Sequence, residues 1–100
     1  MAFAYITEYL RQPKDAIDRV LPAGQEPALA VQKIAIGAGS IQSAPFNAKT
    51  TFVRINVDVV CSIQFGANPT ATAADTRMSA DATEYFGVVP GQRVAVITNT

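Results

Sequence analysis

Three features of the chain predict an all-β fold, a single-domain β-sandwich or jelly roll of about seven to eight short antiparallel strands. Apolar and polar residues alternate with a period of two along residues 51–66, turn-forming residues recur between the apolar stretches, and no segment offers the helical crossovers that a parallel sheet needs. The chain of 100 residues is enough for one such domain with one continuous core, taken here as residues 1–100, with 1–12 as an extended arm or edge strand. It carries no internal repeat and no low-complexity tail.

Residues 3–10 place Phe3, Tyr5 and Tyr9 at odd positions and read as that strand or arm. Residues 13–21 fit one or two helical turns, with Pro13 in the first turn and Ile17, Val20 and Leu21 at helical spacing. A hairpin that returns along residues 3–10 and turns at 12–15 is the preferred reading, because Pro22 and Pro27 bracket a segment too short for a stable helix. Residues 28–36 read as a strand interrupted by Gly37-Ala38-Gly39, and residues 40–44 resume it. In 51–66, Val53, Ile55, Val57 and Val59 oppose Arg54, Asn56 and Asp58; Val60 breaks the pattern, and Cys61, Ile63 and Phe65 resume it. A bulge or corner near 59–61 restores both faces. Gly66 and Asn68-Pro69 end the stretch, and the small polar residues of 67–75 form a surface loop. Residues 76–78 and 84–88 are short strands. Pro90-Gly91 is a turn, and residues 93–98 form the last strand, with Val94 and Val96 on one face.

Composition removes functions. Eight Lys+Arg balance eight Asp+Glu, and charged residues make up 16% of the chain against about 25% in typical domains, so binding to nucleic acid through its phosphates is not expected. Hydrophobic residues reach 49%, but no apolar run approaches the roughly 18 to 20 residues that span a bilayer, and no membrane partner is expected. Residues 1–10 lack the basic start of a signal peptide, since Arg11 and Lys14 follow the apolar residues and Glu8 sits among them. The expectation is a soluble protein made in the cytoplasm. With no His and Cys61 as the sole cysteine, a zinc, haem or iron–sulfur site, an intrachain disulfide and His-dependent triads are not available. No cofactor, metal or enzymatic activity is expected.

The remaining candidates are weighed by their chemistry. Cys61 shares a face with Ile63 and Phe65 and reads as a small buried hydrophobe before a nucleophile. Asp75, Asp81 and Glu84 lack the spacing of a calcium loop and read as solvated turn carboxylates. Gly37-Ala38-Gly39-Ser40 lacks the Lys-Ser/Thr continuation of a phosphate loop. Arg54, Arg77 and Arg93 would make an anion site only if brought together. Tyr85-Phe86 offers a ligand platform or an interface anchor, with core packing claiming at least one of the two rings. The N-terminal rings Phe3, Tyr5 and Tyr9 are the candidate partner interface, as an arm that docks on another chain; ordinary strand core is the competing reading.

Three segments, Ala4-Tyr5-Ile6-Thr7-Glu8-Tyr9, Gln42-Ser43-Ala44-Pro45-Phe46-Asn47-Ala48, and Phe65-Gly66-Ala67-Asn68-Pro69-Thr70-Ala71-Thr72 followed by Glu84-Tyr85-Phe86-Gly87-Val88, resemble small structural proteins of tailed bacteriophages, of the kind that decorate or cement the icosahedral head. The resemblance implies a β-sandwich or jelly roll on the outer capsid surface of the virion, a homo-oligomer (dimer or trimer) bridging neighbouring copies of the major capsid protein. A tail or head–tail junction component of the same lineage is the alternative. A carbohydrate-binding β-sandwich module is a further one, weakened by the absence of Trp.

Overall fold

The structure is a computed structural model that describes residues 2–17, 19–20 and 23–99. Eight strands form it: β1 (Phe3–Tyr9), β2 (Ala30–Ala35), β3 (Ile41–Gln42), β4 (Phe52–Val57), β5 (Cys61–Gly66), β6 (Thr76–Met78), β7 (Thr83–Gly87) and β8 (Arg93–Thr98). Among the described residues there is no helix. Two four-stranded sheets stack, one in the order β2-β1-β4-β7 and the other in the order β3-β8-β5-β6, with every pairing antiparallel. The predicted all-β sandwich is the observed fold.

Taken as a ribbon, β2 to β5 runs out and β6 to β8 runs back, pairing β5 with β6, β4 with β7 and β3 with β8. The fourth pair is β2 with β1. This is the winding of a jelly roll, but the closing strand comes first in the chain where a continuous ribbon would place it after β8. The two chain ends accordingly meet at the same corners. Ile36 N–H donates to Ala2 O, and Thr98 N–H to the adjacent Gly37 O; Asp58 N–H donates to Phe3 O, and Asn99 N–H to Val60 O.

The core forms between the sheets where the period of two predicted it. Val53, Ile55 and Val57 of β4 are fully buried against Cys61, Ile63, Val94 and Val96, with Ala4 and Ile6 from β1 and Met78 from β6. Phe46, Phe65 and Phe86 continue it at one end in tilted ring contacts. The break expected near 59–61 is a corner: residues 58–60 carry the chain from one sheet to the other. The Pro90-Gly91 turn is also present, with Gln92 N–H bonded to Val89 O and Gly91 at φ 81°, the left-handed position that a type II turn reserves for glycine.

Three expectations are corrected. Residues 3–9 are neither an arm nor an edge strand, because β1 lies inside its sheet, paired on one side with β2 and on the other with β4. The hairpin predicted between 3–10 and 13–21 does not form. The slot beside β1 goes to β2, which pairs with it over six residues and so satisfies the backbone groups on that side of the strand, while Lys14 and Val20 make an isolated bridge; Asp18 and Leu21 of that segment lie outside the described residues. The loop at 67–75 is not simply a surface loop. Pro69 and Ala71 are buried, because hydrogen bonds from Gln42 to Pro69 O and from Ala71 N–H to Ser40 Oγ hold the loop against the sheet.

Candidate interaction surface

The two sheets treat their outer faces differently. On the β3-β8-β5-β6 sheet, Ser62 and Ala95 point away from the core yet are fully buried, because the 67–75 loop lies over them. Side chains around the sheet hold it there. Gln42 Nε2 donates to Asn68 Oδ1 and Pro69 O, both at 2.8 Å, Ala71 N–H donates to Ser40 Oγ, and Asn99 Nδ2 reaches Ser62 Oγ and Ala73 O. Asp75 closes the loop by accepting from the Thr72 N–H and hydroxyl.

The outer face of the other sheet is ring-rich, and among the described residues a connecting segment covers it only at its Tyr9 end, where Gly24 and Glu26 lie against that ring. The strand pairings set it out in rows: Ala35 beside Phe3; Lys33, Tyr5, Asn56 and Thr83; Val31, Thr7, Arg54 and Tyr85; Tyr9, Phe52 and Gly87. Phe52 and Tyr85 stack with centroids 5.5 Å apart at 13°. Lys33 Nζ sits 4.1 Å from the Phe3 centroid, with Tyr5 beside it, in the geometry of a cation–π contact. Tyr85 is 42% and Val31 68% exposed, whereas Phe3 and Tyr5 are half-buried.

The three predicted interface rings therefore separate. Phe3 and Tyr5 share the open face. Tyr9 is only 4% exposed and is covered by its own chain: its ring lies on Gly24, leaving no room for a Cβ there, and its hydroxyl donates to Glu26 Oε2. Burial first, then the hydrogen bond and charge of Glu26, push the Tyr9 phenol pKa above its ordinary value. As an anchor for an outside partner, Tyr9 is withdrawn.

Other candidates are placed as follows. Cys61 is buried, and desolvation raises its thiol pKa, as expected of a quiet thiol. Arg54 lies on one sheet and Arg77 and Arg93 on the other, paired respectively with Ser62 and Gly66 along β5, so no arginine cluster forms. Asp75 and Asp81 sit in separate turns, and Glu84 is exposed on edge strand β7. Among the described residues no group of three or more His, Cys, Asp or Glu is placed to hold a metal. A shallow depression lined by Arg11, Gln12, Lys14 and Gln25 opens beside the 10–29 connection.

Glu8 is the residue that sequence reasoning missed. It faces inward from β1 with Ala4 and Ile6, 1% exposed, and accepts hydrogen bonds from Asn47 N–H at 2.7 Å, Thr50 Oγ1 at 2.9 Å and Gln32 Nε2 at 2.8 Å. Gln32 in turn clasps the backbone N–H and C=O of Ala44. The network pins residues 44–50 across the end of the sandwich, a structural role. The signal available was Glu8 at an even position, in phase with apolar Ala4 and Ile6.

Comparison with family models, with curated proteins and with solved structures finds no match to this chain.

Proposed function

We propose that the protein is a non-enzymatic structural component of a phage virion that lays the outer face of its β2-β1-β4-β7 sheet on the capsid surface and cements contacts between major capsid proteins. The observation that supports this reading is the asymmetry of the two outer faces: one is covered by the 67–75 loop, and the other, covered among the described residues only at its Tyr9 end, leaves Phe3, Tyr5, Tyr85 and Val31 facing outward. The resemblance of the N-terminal, 42–48 and 65–88 segments to head-decorating proteins supplies the partner. Stabilisation follows from mass action, since a protein bound only to the assembled shell favours assembly by its binding free energy, repeated at every copy. Ring faces already occupied by Lys33 and by the Phe52–Tyr85 stack favour docking by edges and apolar area over the open stacking platform that a sugar ring requires.

The test is addition of purified protein to undecorated heads at several salt concentrations. An apolar contact predicts that binding changes by less than about tenfold between about 50 and 200 mM salt, where six to ten ionic contacts would cost about 10³–10⁵. Deleting residues 1–10 is not a usable variant, because it removes an interior strand. Tyr5→Ala and Tyr85→Ala leave the pairing intact, and a good anchor is worth about 2 kcal/mol. Undiminished binding by both variants, or steep salt dependence, would sink the reading. Incorporation at the tail vertex in place of the head faces would favour the head–tail junction alternative.

A further inference from the structure

We infer that Arg54 is the carboxylate-accepting anchor of the open sheet face: a protein partner seats an Asp or Glu side chain on its guanidinium, between Thr7 and Tyr85. This rests on the capsid reading for the surface used, and adds the chemistry of what that surface meets.

The charge on this face is lopsided. The chain as a whole balances eight Lys+Arg with eight Asp+Glu, but the outward positions of β2, β1, β4 and β7 hold Lys33 and Arg54 and no acidic residue. Carboxylates of the adjoining segments stand outside the rows. Asp58, at the corner after β4, accepts from Phe3 N–H, and Glu26 accepts from the Tyr9 hydroxyl. Glu84 pairs with inward Ile55 and so leaves β7 on the side away from Tyr85. Asp81 lies in the turn ahead of β7.

Of the two cations, Lys33 is already engaged. Its Nζ lies 4.1 Å from the Phe3 centroid and 5.5 Å from the Tyr5 centroid, held against the ring faces. Arg54 is half-buried in the middle of β4, with Thr7 and Tyr85 on either side and Phe52 and Asn56 along its strand. Asn56 donates its amide protons to Ala82 O and Thr83 Oγ1, and Phe52 and Tyr85 stack on each other. Among the described residues the Arg54 guanidinium makes no hydrogen bond or ion pair. Its charge acts on the Tyr9 phenol, where it opposes the upward push of burial, Glu26 and Tyr85. A guanidinium partly withdrawn from water among rings presents a planar fork of donors that matches a carboxylate in two parallel hydrogen bonds. Arg and Tyr in such a setting are the residue types that anchor interfaces.

Charge also selects the occupant. A second copy laid face to face would set Lys33 and Arg54 against the same two cations with no carboxylate between them, a like-charge contact. Nucleic acids and anionic bilayers are met by arrays of cations, whereas this face holds two, one of them engaged. A protein surface that offers a carboxylate within an apolar patch fits both the rings and the charge.

The test has two arms, both on the full-length chain. In the first, N-acetyl-phenylalaninate, a carboxylate beside a ring, is titrated at fixed ionic strength, with its uncharged amide as control. The Nε–Hε resonances of Arg54, Arg77 and Arg93 and the backbone amides of Thr7 and Tyr85 are followed by NMR. The expected result is a dose-dependent shift at Arg54, Thr7 and Tyr85 that exceeds any at Arg77 or Arg93, is absent with the amide, and is lost at Thr7 and Tyr85 in Arg54→Gln. An equal response of all three arginines, an equal response to the amide, or no response overturns the inference. So does movement of the Arg54 and Tyr85 resonances on dilution of the protein alone, which would assign the face to a second copy. In the second arm, undecorated heads bind Arg54→Gln about tenfold more weakly than wild type, the loss expected of a charged hydrogen-bonded pair, and Arg54→Lys in between. Heads whose carboxylates have been amidated bind wild type and Arg54→Gln alike. Wild-type binding by Arg54→Gln while Tyr5→Ala and Tyr85→Ala bind weakly overturns the carboxylate anchor and leaves the capsid reading standing. Heads that do not bind wild type, with the first arm positive, remove the capsid reading and keep the anchor.

Discussion

Replacing Glu8 by Gln exchanges one acceptor oxygen for an amide that only donates, at a site where every neighbour already donates. Its Oε1 can still accept from Asn47 N–H and Thr50 Oγ1, but the new Nε2 meets Gln32 Nε2 where the carboxylate Oε2 had accepted at 2.8 Å. Turning over the Gln32 amide does not help, because its Oε1 accepts from Ala44 N–H and its Nε2 donates to Ala44 O. Turning over the new amide breaks the bonds from Asn47 and Thr50. The loss is one hydrogen bond to a charged group plus a donor left facing a donor, about 2–3 kcal/mol. Urea slopes of about 1–3 kcal/mol/M convert that to a midpoint lower by about 0.7–3 M at unchanged slope. Adding Gln32→Glu restores an acceptor opposite the new donor and leaves only the exposed Ala44 carbonyl to find water, so the double variant recovers most of the loss. A wild-type midpoint for Glu8→Gln, or a double variant no more stable than the single one, would refute this account of the network.

Gly24→Ala places a methyl group in the Tyr9 ring and should cost about 1–3 kcal/mol as overpacking; in a Tyr9→Ala background the cost should vanish, which a double-mutant cycle by urea unfolding checks. Cys61 should resist thiol reagents in the native protein. Burial raises its thiol pKa, so the contribution it makes to stability is fully present below the ordinary thiol value of about 8.5 and is lost as pH rises through the raised native value; Cys61→Ala should flatten that alkaline decline in Tm. Asp15 has the opposite sign. Hydrogen bonding from Arg19 N–H, then from the Arg19 guanidinium and Ile17 N–H, holds its carboxyl below the usual range against some desolvation. The contacts of Asp15 with Ile17 and Arg19 should therefore persist above the ordinary carboxylate value of about 3.9 and be lost only as pH falls through the lowered one. The Ile17 and Arg19 amide resonances report this, and an unchanged pair of shifts down to the lowered value's far side would show that Asp15 does not hold the loop.

Much of the fold was legible because the period of two is a local property. Val53, Ile55 and Val57 mark an inward face whatever lies opposite, and the phase break at Val60 announces the corner that takes the chain to the second sheet. Proline followed by glycine at 90–91 constrains the backbone by itself. Strand neighbours are another matter. Backbone hydrogen bonds pair any strand with any other, so nothing within residues 3–9 states that β2 and β4, rather than residues 13–21, lie beside them.

The candidate surface shows the same division. Alternation alone puts Phe3, Tyr5 and Tyr9 on one side of a strand, and the structure keeps them there. Whether each ring is open depends on what distant residues do: Gly24 and Glu26 close over Tyr9, while Lys33 caps Phe3. The covered face of the second sheet likewise depends on Ser40, Gln42 and Asn99 reaching the 67–75 loop. Glu8 is the sharpest case. An acidic residue in phase with Ala4 and Ile6 looks like an error of pattern until residues 44–50 and Gln32 bring it three donors, and only a packed tertiary structure can satisfy a buried carboxylate. The sequence by itself determined the strands, their faces and the corner, because these follow from side-chain alternation and backbone restriction within a few residues. The tertiary structure alone decided which strands are neighbours, which sheet face stays open and that the closing strand of the roll is the first in the chain, because those depend on groups far apart in sequence meeting in space.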